Sequence, residues 1–354
     1  MRREAKLASL FALWATACTG TTGMMAGPPA GGDGSPDAAP SQDAALQQDA
    51  QPDATPPRRK LIDFLNGISG QKTLSGVHNR EPNNDPAHWT NVASETTGKY
   101  PALWGGDFLY EQDNIDARPI MIAEAKREWS SGAVVSLMYH ACPPTQDEAC
   151  GWDGGVLSSL SDAQWNELIT DGSPLNSVWK DRLDRIAVFL QDLKDSGVQV
   201  LFRPQHEMNQ GAFWWGGRTG PNGTARLYQI THDYLTQSKG LDNIVWVWSV
   251  QDLSWDFDQY NPGSDYFDVA SLDVYGGDGF TQDKYDAMVA VAGGKLIAIG
   301  ECARLPTSAE LQAQPKWIYF MGWSELTFSA NSSEELTNLF SAPNVLTLDE
   351  MPGW

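Results

Sequence analysis

Eight short apolar runs alternate with amphipathic stretches from about residue 60 to the C-terminus, and this alternation limits the possible fold more than any other feature. The runs are TLSGVH (73–78), PALWGGDF (101–108), AVVSLMYH (133–140), VQVLFRPQHE (198–207), NIVWVWS (243–249), YFDVASLDVY (266–275), KLIAIGE (295–301) and WIYFMGW (317–323). Each is almost continuously apolar and rich in β-branched or aromatic side chains, the pattern of a strand buried on both faces. Parallel strands of this kind need crossover connections, and helical stretches at 118–129, 177–197, 224–239 and 281–292 are placed to supply them. In the second of these, Trp179, Leu183, Ile186 and Leu190 recur at helical spacing, and Gly197 is placed to end the helix. Eight strands mostly alternating with helices over residues 61–354 match a (β/α)8 TIM barrel in count and size. An open doubly wound sheet competes, but no Gly-rich fingerprint follows the first strand. The expected fold is therefore α/β, with a single barrel domain over 59–354 and no internal repeat.

The N-terminus reads as a targeting segment rather than as part of the fold. Arg2, Arg3 and Lys6 precede Leu7–Ala17, an apolar stretch too short to span a bilayer. Ala15-Thr16-Ala17-Cys18 resembles a bacterial lipoprotein signal, in which residues 1–17 are removed and Cys18 becomes a lipidated first residue. Ordinary cleavage with release is the alternative. The chain is thus expected to be exported, either anchored at the outer membrane or cell surface or secreted. Residues 19–57 contain five Asp and neither Lys nor Arg. With almost no large apolar side chains to bury, 18–58 is expected to be a disordered linker. An oxidising compartment also suits Cys142 and Cys150, which lie close together in ACPPTQDEACGW and are expected to form a disulfide. Cys302 is left over, and no CxxC pair is present to build a zinc ribbon.

The 24 Lys and Arg are outnumbered by 45 Asp and Glu, for a net charge of −21. A nucleic-acid partner is disfavoured, since phosphate binding needs clustered basic side chains. A neutral ligand is compatible with this charge. Fifteen Trp exceed what the core of such a chain requires, which suggests that some serve a working surface.

Polar residues able to do chemistry stand at the C-terminal ends of the strand candidates: His78, Asp107, His140, His206, Glu207, Tyr275, Glu301 and Trp323. In a (β/α)8 barrel those ends form the catalytic face. Glu207 and Glu301 end the fourth and seventh runs, so the barrel would face them across its opening. Two carboxyls flanking a bond are the machinery of glycoside hydrolysis: one protonated to help the leaving oxygen depart, one ionised to attack or to activate water. Either Glu alone could equally be an ion-paired or solvated strand end. HEMNQ is not a zinc-protease motif, because Gln210 stands where the second His would be. No nucleophile elbow of the G-x-S-x-G type follows a strand either.

RPQHEMNQGAFWWGG (203–217) resembles the acid/base signature of glycoside hydrolase family 26. SGVHNREP (75–82), YPALWGGDF (100–108) and DVASLDVYGG (268–277) resemble that family's other strand ends, and the likeness covers essentially all of 61–354. The resemblance implies a retaining barrel enzyme, most often an endo-β-1,4-mannanase acting on mannan, glucomannan or galactomannan. A minority of the family cleaves β-1,3-1,4-glucan or β-1,3-xylan, and a non-catalytic surface glycan binder is a further alternative. Carried over residue by residue, Glu207 is the acid/base and Glu301 the nucleophile. His206 would bond near the substrate or nucleophile, Arg203 would keep Glu301 ionised, Tyr275 would orient it, and Trp323 would be the floor of the cleavage subsite. His140 and Asp107 would contact hydroxyls in the glycone half of the cleft, with Trp104 and Trp152 as further candidates there. Phe213, Trp214 and Trp215 resemble the family's aromatic run after the acid/base, with Trp215 a candidate substrate contact. Ala212 and Ser324 depart from the pattern, where relatives carry Trp and, in some mannanases, Arg. The implied partner is a β-mannan-type polysaccharide met by a monomer, with no nucleic acid, no cofactor and no metal. The membrane is reached only through the N-terminal lipid.

Overall fold

The computed structural model describes residues 57–354 except Ser254, with side chains from Lys60 onward. The expected signal peptide, Cys18 and all but the last two residues of the expected linker therefore lie outside the described residues. The barrel domain opens with the helix Pro57–Ile68, two residues before the boundary expected at 59. No described helix is long and apolar enough to cross a membrane.

Every apolar run forms a strand: β1 Thr73–His78, β2 Leu103–Asp107, β3 Val134–Tyr139, β4 Val200–Pro204, β5 Ile244–Gln251, β6 Val269–Val274, β7 Leu296–Cys302 and β8 Trp317–Trp323. All their residues are buried, as near-continuous hydrophobicity requires of a sheet covered on one face by helices and filled on the other. Each strand pairs in parallel with its sequence neighbours, and β1 pairs with both β2 and β8. The ring is closed, and the (β/α)8 expectation holds. A two-residue strand, β9 (Val345–Leu346), adds to the start of β1.

The helices fall close to the amphipathic stretches, and their ends follow capping chemistry. The stretch 177–197 is part of the helix Pro174–Asp195, which begins earlier because Ser173 caps it and Pro174 suits its first turn. Its Trp179, Leu183, Ile186 and Leu190 are buried as the spacing implied. The stretch 224–239 splits into an α-helix, Thr224–Asp233, and a π-helical turn, Tyr234–Ser238.

Two departures from ideal strands lie at the C-terminal face. β4 stops at Pro204, short of the expected end at Glu207, because Gln205 and Glu207 take φ of 43° and 48°, which no strand can accommodate. Between β6 and β7 the register runs from Val269↔Leu296 to Leu272↔Ile299 and then pairs Asp273 with Glu301. Gly300 is the extra residue of a bulge, a device that re-aims side chains beside active sites. A Cβ at Gly300 would lie 2.5 Å from Asp273 Oδ1 and 2.8 Å from Ser271 Oγ. Gly300→Ala is therefore expected to destabilise the barrel by about 1–3 kcal/mol, read as a fall in the thermal midpoint. An unchanged midpoint would show that the bulge has slack.

Candidate active site

The loop after β4 carries Glu207 and is tied to β5. Met208 N donates to Ser249 O (3.3 Å), and Asn209 exchanges bonds with Gln251 through Nδ2 to O (2.8 Å) and from N to Oδ1 (2.7 Å). These ties hold Glu207 in its left-handed conformation. Non-glycine residues persist there only when their surroundings over-determine them, and such residues cluster at functional sites. The Gln210 amide donates to Glu207 Oε2.

Glu301 stands across the opening. Arg203 Nη2 donates to its Oε1 at 2.6 Å, Tyr275 Oη donates to its Oε2 at 3.1 Å, and His206 Nε2 lies 3.8 Å away. The other arm of Arg203 binds Asp273 at 2.9 and 2.7 Å, and Ser249 Oγ adds a bond to Asp273 at 3.0 Å. One oxygen from each of Glu207, Asp273 and Glu301 lies within 4.8 Å of the other two. That spacing by itself could suit a metal ion. Here, however, the guanidinium of Arg203 already occupies lone pairs of Asp273 and Glu301, so the positive charge that the pair needs is built into the chain.

One cation thus faces three buried carboxyls, and Glu207 lies apart from it. Burial, and then the negative charges of Glu301 and Asp273, raise the Glu207 carboxyl well above the ordinary glutamate value. Glu207 is thereby held protonated while Glu301 lies on Arg203, the division of labour that acid–nucleophile chemistry requires. Tyr275 keeps its proton to donate, because burial and then Glu301 raise its phenol well above the usual value.

This arrangement has a stability cost with a definite sign. Because the folded-state pKa of Glu207 is raised, its favourable contribution is complete below the unfolded glutamate value and is lost as pH rises toward the folded one. Glu207→Gln is therefore expected to match wild-type stability near pH 4 and to gain on it above that, by at most about 1.4 kcal/mol per pH unit. Denaturant melts across pH read this directly, and a pH-independent difference would contradict the assignment.

A wall of rings completes the site. Asp107 is fully buried, and its carboxylate accepts from His140 Nδ1 (2.5 Å) and His140 N (3.2 Å). Burial alone would raise the Asp107 carboxyl, but its contacts with His140 outweigh that and hold it below the usual range. With Nδ1 committed to Asp107, His140 Nε2 is left without a protein partner, beside His206 (ring centroids 4.5 Å apart). Burial lowers His206 well below the ordinary histidine value and brings His78 down to about 3, so both rings are neutral. Phe213 packs on His206 (4.8 Å), and the partly exposed Trp152 lies 5.8 Å from His140.

Glu207, Glu301, Arg203, His206, Tyr275, His140, Trp152 and Trp323 are thus brought together, while three expectations need correction. Trp104 lies on the opposite face of β2 from Asp107, with no exposure and its indole N–H on Pro86 O (2.9 Å). It packs behind the strand and cannot reach a sugar, because alternate residues of a strand point to opposite faces. Asp107 offers no free oxygen to a hydroxyl and acts through His140. Trp215 is buried, stacked on Phe213 (4.5 Å) and bonded to His206 O (2.9 Å), so it braces the acid/base loop rather than the ligand. Trp323 lies 6.2 Å from His140 and stacks one face on His78 at 4.2 Å, which leaves its other face for a sugar.

Asp273, Ser249 and Gln210 belong to the site, and sequence reasoning missed them. A lone acid inside the apolar run VASLDVY was the available signal for Asp273, since a charged residue in a buried strand must be paired. Cys142 and Cys150 form a disulfide, whereas Cys302 is free and buried.

Comparison with known proteins agrees with this geometry. Residues 50–350 match the model of Glycosyl hydrolase family 26. Mannan endo-1,4-β-mannosidase of Thermothelomyces thermophilus is 31% identical over 327 residues, covering 86% of this chain and 63% of that protein. Mannan endo-1,4-β-mannosidase A of Piromyces sp. is 27% identical over 86% of this chain and 50% of its own length. The chain thus spans between half and two thirds of the length of these relatives. Among solved structures, GH26A from Muricauda sp. matches with a TM-score of 0.80 and 36% identity, over 85% of this chain and 99% of that one. A β-mannanase from a symbiotic protist of the termite Reticulitermes speratus, solved with a gluco-manno-oligosaccharide, matches with a TM-score of 0.75 and 26% identity, over 86% and 97%.

Proposed function

The chain belongs to glycosyl hydrolase family 26, and from that premise we propose that it is a retaining, endo-acting hydrolase of β-1,4-mannosidic bonds in mannan, glucomannan or galactomannan. The observation that carries the reading is the approach of Glu207 and Glu301 oxygens to within 4.8 Å. Retention needs carboxyls about 5–5.5 Å apart, whereas inversion needs about 6.5–9.5 Å to admit a water between them. Glu301 attacks the anomeric carbon while Glu207 gives its proton to the departing oxygen, leaving a glycosyl ester on Glu301. Glu207, now ionised, takes a proton from water, which attacks the same carbon and releases Glu301. Arg203 and Tyr275 fix the attacking carboxylate, and the unpartnered Nε2 of His140 suits a sugar hydroxyl. The mannan specificity is supported by the activities that the relatives' names carry.

A substrate panel with product analysis tests this. Manno-oligosaccharides released from galactomannan with initial β-configuration by NMR are the expected result. Cleavage confined to β-1,3-1,4-glucan or β-1,3-xylan would overturn the substrate, and binding without any reducing-sugar release would overturn the enzyme. We also infer export of a monomeric enzyme with lipid on Cys18. The basic and apolar start of the chain and the Cys142–Cys150 disulfide support the compartment, and mass spectrometry of the mature N-terminus tests the anchor.

A further inference from the structure

Among the described residues, Trp255 is the one exposed tryptophan, at 50%, and Leu253 close by is 42% exposed. Both lie on the loop after β5, at the same rim as Glu207. The loop is pinned on either side of them. Asp252 N donates to Asp273 O (3.0 Å), and the Asp252 carboxylate accepts from Tyr275 N (3.1 Å), Gly276 N (2.9 Å) and buried Lys284 (2.7 Å). Beyond it, Phe257 is buried, with the Trp255 ring stacked on it at 6.2 Å. Two large apolar side chains are therefore held in water by a braced loop, at a hydrophobic cost that a ligand would relieve.

The position selects the ligand. Glu207 gives its proton to the leaving oxygen, so the departing half of the chain must lie on its side of the cleft. His140, with Trp152 5.8 Å and Trp323 6.2 Å from it, forms a separate wall that runs from β3 to β8. β5 is the neighbour of β4 and is bonded to the Glu207 loop through Asn209, so the loop continues the cleft on the leaving-group side. An indole face suits the C–H face of a neutral sugar ring. A strongly acidic surface also disfavours an anionic glycan. We propose that Trp255, supported by Leu253, forms a platform that binds the leaving-group half of the β-glycan beyond the bond that is cut. This rests on the hydrolase reading given above.

The test compares Trp255→Ala with wild type on a β-manno-hexasaccharide and on an aryl β-mannobioside, whose leaving group is a single ring at the cleavage point. The loss of kcat/KM on the hexasaccharide is expected to exceed that on the aryl glycoside by about tenfold, with Trp255→Tyr restoring most of it. Val188→Ala, on the outer helical surface at 61% exposure, is the control that should keep both rates. Equal losses on the two substrates, or no loss on either, would overturn the platform. Should the wild type cleave a different β-glycan, the same pair of lengths in that glycan is used, so a failed substrate reading is told apart from a failed platform. Calorimetric affinity for the hexasaccharide in a Glu301→Ala background, with and without Trp255→Ala, gives the same contrast without turnover.

Discussion

Replacing Glu301 with Ala is expected to lower kcat on galactomannan by on the order of 10⁵-fold, the scale of losing a covalent nucleophile. Among the described residues the Glu301 carboxylate is the group placed to attack, since the neighbouring acid Asp273 is spent on Arg203 and Ser249. His206 is neutral and 3.8 Å away, and Tyr275 holds its proton firmly. The barrel should survive, because Arg203 keeps its bonds to Asp273. Initial rates on polysaccharide, with circular dichroism to check folding, read the outcome. A folded variant that retains even about 1% of the wild-type rate would remove Glu301 from the nucleophile's role.

Glu207→Ala should fail in a different way. On polysaccharide, where the leaving oxygen needs a proton, kcat should fall by about 10²–10⁴-fold. With an activated aryl leaving group the first step should survive and the second should slow, giving a burst of phenol followed by a low steady rate. Azide, small enough to enter the space vacated by the carboxyl, should then accelerate turnover and yield a β-glycosyl azide. The pH profile supplies an independent reading. Glu207 must carry a proton, so wild-type kcat/KM should fall on the alkaline side as pH passes its raised value, and the variant should lack that limb. A variant with an unchanged alkaline limb and no azide effect would show that another group is the acid.

The two carboxylates were legible early because each closes an apolar run that reads unmistakably as a strand. A (β/α)8 barrel sends all such ends to one face. The strands themselves were legible because burial on both faces demands a run of apolar residues that no loop shares. Harder to read was the side of a strand on which a residue falls. Trp104 and Asp107 are three apart on one short strand and point to opposite faces, and the bulge at Gly300 resets that alternation just before Glu301. Asp107 was recognised as a site residue but not as one spent wholly on His140. Trp215 carried the right residue type for a sugar contact yet is used to brace the loop behind His206.

Local order was therefore settled by the chain alone: where strands and helices run, which polar groups stand at strand ends, and that two glutamates share a rim. Those features follow from periodicity and solvent exclusion acting within a few residues. What the folded barrel decided was charge and proton placement. Arg203 meets Glu301 across 98 positions of sequence and Asp273 across 70, while Glu207 is left buried beside both acids with no cation of its own. Whether a carboxyl keeps or loses its proton depends on distance through a low-dielectric interior, and distances between remote segments exist only once the ring has closed.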